Sequence, residues 1–95
     1  MSKSATPSVF VDAGNDTPGR KSTSVGVGGS NFPPGSAVNI KLNHGARGAV
    51  MVGPDGSFQW GIGIRPPLGC GAPVVATVHG SDGIELTGES DVFCP

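Results

Sequence analysis

Apolar and polar residues alternate singly from Val38 onward, with Val38, Ile40 and Leu42 facing one way and Asn39, Lys41 and Asn43 the other. That period of two predicts a half-buried strand. Phe58, Trp60, Ile62 and Ile64 repeat the pattern against Gln59, Gly61, Gly63 and Arg65. The outward glycines, Gly61 and Gly63, suggest a bulge or a close neighbour there. Further strands are expected at Ser8–Asp12, Thr23–Gly28, Gly48–Val52, Val74–Gly80 and Ile84–Phe93, which makes seven. No stretch of ten residues keeps a helix period free of Gly and Pro, so no substantial helix is expected.

Turn chemistry punctuates these strands every 8 to 12 residues: TPG at 17–19, FPPG at 32–35, NHG at 43–45, GPDG at 53–56, RPPLG at 65–69 and SDG at 81–83. Short strands at that spacing predict an all-β fold of sandwich or small-barrel type. Within FPPGSAV, Pro33 and Pro34 restrict the backbone to one narrow φ range, and Gly35 supplies a conformation other residues avoid. Phe32 is placed to fold back as a plug beneath the turn. The segment is expected to form a corner between two sheets.

Composition narrows the class. Seventeen Gly and nine Pro in 95 residues would suggest a disordered chain. Here the spaces between them are filled with regular bursts of Val, Ile, Leu, Phe and Trp, so they read as turns joining short strands. One core is expected, burying roughly 60 to 65% of the surface the unfolded chain exposes. The net charge is −1 and Lys3, Arg20, Lys21, Lys41, Arg47 and Arg65 are scattered, so the basic footprint of a nucleic-acid binder is missing. The longest apolar run, Ala49 to Val52, is far short of the roughly 20 residues of a membrane helix, and no membrane insertion is expected. The opening MSKSATPS has no apolar h-region, which predicts synthesis in the cytoplasm without a signal peptide.

The segment VGVGGSNFPPGSAVNIKL, followed by VGPDGSFQWGIGI and VVATVHGSDGIEL, resembles the bacterial immunoglobulin-like (fibronectin III-like) domains. In those domains G-x-x-F-x-P-G-x-x-V leads into the third strand, D-G-S-F opens the fifth, and G-x-D-G opens the last hairpin. The resemblance covers about residues 7 to 93. It implies an immunoglobulin-like antiparallel β-sandwich of about seven strands, a single domain over residues 7–95 behind a flexible arm over residues 1–6. It also implies a non-catalytic module of the kind found in cell-surface proteins, extracellular enzymes and tailed-phage virions. The first expectation is a virion accessory protein, a capsid decoration or tail ornament on the virion surface that attaches to a symmetric protein assembly. The alternative is an adhesion or polysaccharide-binding module cut from a secreted bacterial surface protein.

Cys70 and Cys94 each lie twelve residues from Asp82, the centre of the SDG turn. Regular antiparallel pairing about that turn would bring them opposite one another. Two states stand open: a disulfide, which the symmetry favours, and two reduced thiols at a sheet edge, which synthesis without secretion favours. A virion protein, made in the cytosol and later exposed to air, reconciles the two. Metal binding is not expected, because two cysteines so spaced lack a C-x-x-C or nearby His pair.

Other chemistry finds no support. His44 and His79 are the only histidines, and neither lies in a motif that supplies a nucleophile elbow or an orienting acid. His79 is expected to face solvent beside a turn and His44 to sit at a hairpin tip. GVGGSN at 26–31 has the glycines of a phosphate loop but no helix to follow. DAGND at 12–16 lacks the Glu that completes an EF-hand loop. No catalytic residue, cofactor, metal or small-molecule substrate is therefore expected.

Trp60 lies on the apolar register of Phe58 and Ile62, which predicts a core tryptophan. With Phe10, Phe32, Phe58 and Phe93 also assigned to core, and no Tyr in the chain, no aromatic is left for sugar stacking. The exposed apolar material is then the loop Ile64, Arg65, Pro66, Pro67 and Leu68. Together with Ser2, Lys3 and Ser4 of the arm, it is the expected partner contact.

Overall fold

A computed structural model describes residues 6–15, 22–81 and 83–94. The seven strands are β1 (Ser8–Gly14), β2 (Thr23–Ser30), β3 (Ala37–Leu42), β4 (Arg47–Met51), β5 (Phe58–Ile64), β6 (Pro73–His79) and β7 (Glu85–Asp91), with no helix among the described residues. They form an antiparallel β-sandwich, one sheet ordered β1-β2-β5 and the other β4-β3-β6-β7. All seven expected segments are strands, with ends displaced by no more than two residues.

Alternation places the core between the sheets. Val25 and Val27 of β2 face Val38, Ile40 and Leu42 of β3 and Val74, Ala76 and Val78 of β6, and all eight are buried. β-branched side chains dominate because they pack well on a pleated surface.

The FPPG corner carries the chain from the first sheet to the second. Asn31 turns to φ 64° and Gly35 to φ 77°, while Gly35 N–H donates to Val52 C=O at 3.0 Å and Ser36 Oγ donates to Pro33 C=O at 2.6 Å. Phe32 folds back as expected and is only 2% exposed. Its ring meets the edge of Phe58, with centroids 5.2 Å apart and planes at 76°. The pair lies under Gly29, where any side chain would enter the rings of Phe58 and Phe32. Phe32 N–H donates to Gly56 C=O at 3.0 Å, which ties the corner to the turn before β5. In that turn Asp55 Oδ1 accepts from the Ser57 hydroxyl (2.8 Å) and the Ser57 N–H (3.1 Å). These two bonds hold the carboxyl below its ordinary value.

The β6–β7 hairpin is symmetric about position 82: His79 pairs with Glu85, Ala76 with Gly88, and Pro73 with Asp91. The same register, continued by Gly71 N–H to Val92 C=O at 2.9 Å, brings the cysteines together. Cys70 and Cys94 form a disulfide with Cα atoms 5.7 Å apart.

Two expectations are corrected. The outward glycines Gly61 and Gly63 make no bulge, since β5 pairs with β2 in unbroken register from Thr23↔Ile64 to Gly29↔Phe58. Space above them is open to ordinary contact distances. Trp60 is half-buried, not enclosed, and its ring lies on Gly48 of β4, closing the side of the sandwich where β5 and β4 approach.

Candidate functional site

The outer face of the three-stranded sheet carries few side chains. Gly26 of β2 and Gly61 of β5 pair directly, and Asp12 of β1 lies opposite Gly26 in the same row. One row away Phe10 pairs with Gly28, which pairs with Gln59. A side chain at Gly28 would occupy the position of the Phe10 ring, so that ring lies down across the sheet with its other side to solvent. On the opposite side of the Asp12 row, Gly14 forms a parallel bridge with Phe93, secured by Phe93 N–H to Ala13 C=O at 2.9 Å and Asn15 N–H to Phe93 C=O at 2.9 Å.

The result is an open trough on a backbone floor. One part, of about 320 Å³, runs between Phe10, Asp12, Gln59 and the Gly26–Gly61 pair. It continues into a part of about 630 Å³ that reaches Gly14, Ser24 and Phe93. Phe10 is 55% exposed and Phe93 is 69% exposed. Four residues of strand separate Phe10 from Gly14, the residue beside Phe93, a span of about 13 Å.

Phe10 and Phe93 thus correct the assignment of every Phe to the core. Phe10 shares its parity with Ser8 and Asp12, and Val9, Val11 and Ala13 occupy the inward face instead. Phe93 continues the outward parity of Glu85, Thr87, Glu89 and Asp91. The inference that no aromatic remains for a surface contact falls with them.

The expected contact loop is placed differently from end to end. Ile64 closes β5 opposite Thr23 and Leu68 packs against the core, both half-buried, whereas Arg65, Pro66 and Pro67 are exposed. Leu68 is held by side chains: its N–H donates to Thr23 Oγ1 at 2.7 Å, Thr23 Oγ1 donates to Asn15 Oδ1 at 2.6 Å, and Asn15 Nδ2 donates to Leu68 C=O at 3.0 Å. Asn15 Nδ2 also lies 3.6 Å from Cys94 Sγ. Thr23 is fully buried, so its hydroxyl serves as the junction of β1, β2, the 64–68 loop and the C-terminal segment. Thr23→Val keeps the shape and orphans both partners, and is expected to lower stability by about 1 to 3 kcal/mol, read as a denaturant midpoint shift at unchanged slope. Ser2, Lys3 and Ser4 lie outside the described residues.

His79 is exposed beside the β6–β7 turn with Nε2 3.9 Å from Glu85 Oε2, and His44 is exposed at the β3–β4 tip. Among the described residues no three His, Cys, Asp or Glu side chains gather to hold a metal ion, and no helix is long and apolar enough to cross a membrane. No protein-family model matches the chain, and neither a curated protein nor a solved structure matches it at a significant level.

Proposed function

We propose that this chain is a non-catalytic interaction module, a phage virion accessory protein of the capsid-decoration or tail-ornament kind, and that the outer face of the β1-β2-β5 sheet docks it on a symmetric protein assembly. The observation that carries the docking face is the glycine-floored trough with Phe10 and Phe93 exposed at its ends. A surface stripped of side chains lets a partner's backbone or flat face approach closely, and two fixed rings supply apolar anchors at little entropic cost. Many identical sites on one particle make weak single contacts sufficient. The immunoglobulin-like resemblance of the sequence supports the virion setting.

The exposed rings also favour a second reading, a polysaccharide-binding adhesion module, because a solvent-facing Phe beside Asp12 and Gln59 offers stacking and planar hydrogen-bonding groups together. One experiment separates the two. Phe10→Ser with Phe93→Ser is expected to preserve the melting temperature within a few degrees, since both rings are largely exposed. Co-sedimentation with purified particles of the parent phage is expected to fall at least tenfold. Deleting residues 2–7 in parallel measures the contribution of the arm. Unchanged occupancy of the double-Ser variant removes this face from the docking proposal, failure of the parent chain to bind particles removes the virion reading, and binding to immobilised polysaccharide that the double-Ser variant loses establishes the second.

A further inference from the structure

We infer that the part of the trough between Phe10, Asp12 and Gln59 is a seat for one aromatic side chain of the partner, a tryptophan or tyrosine laid flat on the Gly26–Gly61 pair. This rests on the docking role proposed for the face and adds the chemical group that occupies it.

Within the molecule, aromatic rings repeatedly lie on strand glycines. Phe10 covers Gly28, Phe58 covers Gly29 and Trp60 covers Gly48, and a side chain at any of the three would run into the ring. The fold itself requires glycine there. Gly26 and Gly61 differ. The atom nearest a Cβ at Gly26 is the Trp60 carbonyl oxygen at 4.0 Å, and at Gly61 the Val25 carbonyl oxygen at 3.6 Å, both ordinary contacts. Neither glycine has a positive φ, and the two pair in unbroken register. Glycine weakens the interior of a strand and often marks close approach by another group. Among the described residues no ring approaches either one: Gly61 is exposed and Gly26 half-buried, whereas Gly28 and Gly29 are buried beneath their rings.

The cavity over this pair, about 320 Å³, has walls suited to a ring with a polar edge. Phe10, 55% exposed, offers one side of the cavity to a second ring. Asp12 is the only charged side chain lining it. Among the described residues neither the Asp12 carboxylate nor the Gln59 amide is engaged in a hydrogen bond or ion pair. Both can accept, so the complementary ring donates from its edge, as an indole N–H or a phenol O–H does. A saccharide presents hydroxyls all round its ring. Here the β2 floor spends its backbone groups on the ladders to β1 and β5, which leaves two polar side chains to meet them.

Titration of the full chain with N-acetyltryptophanamide or N-acetyltyrosinamide, followed through backbone amide NMR shifts, should move Gly26 and Gly61 with a dissociation constant on the order of 10 mM. N-acetylphenylalaninamide should bind at least threefold more weakly, and Asp12→Ala with Gln59→Ala should erase that margin. Gly61→Val tests the seat itself. The valine fills the space, so probe affinity and co-sedimentation with particles should each fall at least tenfold, while the melting temperature stays at or above that of the parent. Thr87→Val, on the outer face of the other sheet, should bind like the parent. A Gly61→Val protein that binds the probes like the parent overturns the inference. So does one that melts well below the parent, because the glycine would then belong to the fold. Cellobiose moving these amides where the aromatic probes do not would give the seat to a saccharide and overturn it as well. The probe titration uses no particle, so probe binding without particle binding removes the docking role and leaves the aromatic seat standing.

Discussion

Reductant is expected to lower the melting temperature of the oxidised protein by on the order of 15 °C and to leave a Cys70→Ser, Cys94→Ser double variant unmoved. The bridge joins residues 24 apart in sequence, and restricting that loop in the unfolded chain is worth about 3.5 kcal/mol. In a domain of this size each kcal/mol moves the transition by about 4 to 8 °C. The folded state needs little adjustment, because the β6–β7 register already places the two positions opposite one another. The Ser variant should melt where the reduced parent does. Thermal scans of the four samples decide it: coincident parent curves with and without reductant would mean that the bridge contributes nothing.

Phe32→Ala is expected to cost about 3 to 5 kcal/mol, a large share of the stability of a small domain. The ring is the plug of the FPPG corner, packed edge-on to Phe58 and against Gly29 and Gly80. Removing it leaves a cavity where the ends of β2, β5 and β6 converge, and the backbone bond from Phe32 to Gly56 holds the corner too firmly for the walls to collapse into the space. Phe32→Leu refills part of the volume and should recover more than half of the loss. Chemical denaturation of the three proteins gives the comparison. A loss under about 1 kcal/mol for the Ala variant would show that the corner closes without its plug.

The strands were legible because alternation and turn chemistry agree: apolar Val38, Ile40 and Leu42 are flanked by FPPG before and NHG after. The cysteines were legible through the symmetry of one hairpin. Less could be read of which aromatic faces out. Phe10 and Phe93 are apolar residues on polar registers, and identity and parity disagree there; parity prevailed because the inward places of β1 were already taken by Val9, Val11 and Ala13. The junction at Thr23 was not legible, since it unites Asn15, Thr23, Leu68 and Cys94, residues that only the closed sandwich brings together. Gly26, Gly28 and Gly61 stood out in composition, but their assembly into a single trough floor depends on the pairing of β1, β2 and β5. For the same reason the contact surface expected from residues 64–68 shrank to Arg65, Pro66 and Pro67.

The bridge between Cys70 and Cys94 has a mechanical consequence. A pull on the chain at Cys94 is transmitted through the sulfur atoms to Cys70 and bypasses β7, so the last hairpin cannot be unzipped from its C-terminal end. The stretch of chain between the cysteines, 24 positions apart, lends 5.7 Å of Cα separation to the path under load, in place of about 80 Å when extended. Tension from the C-terminal side therefore passes directly to the segment joining β5 to β6, and a domain anchored by its other sheet keeps its final hairpin intact under shear.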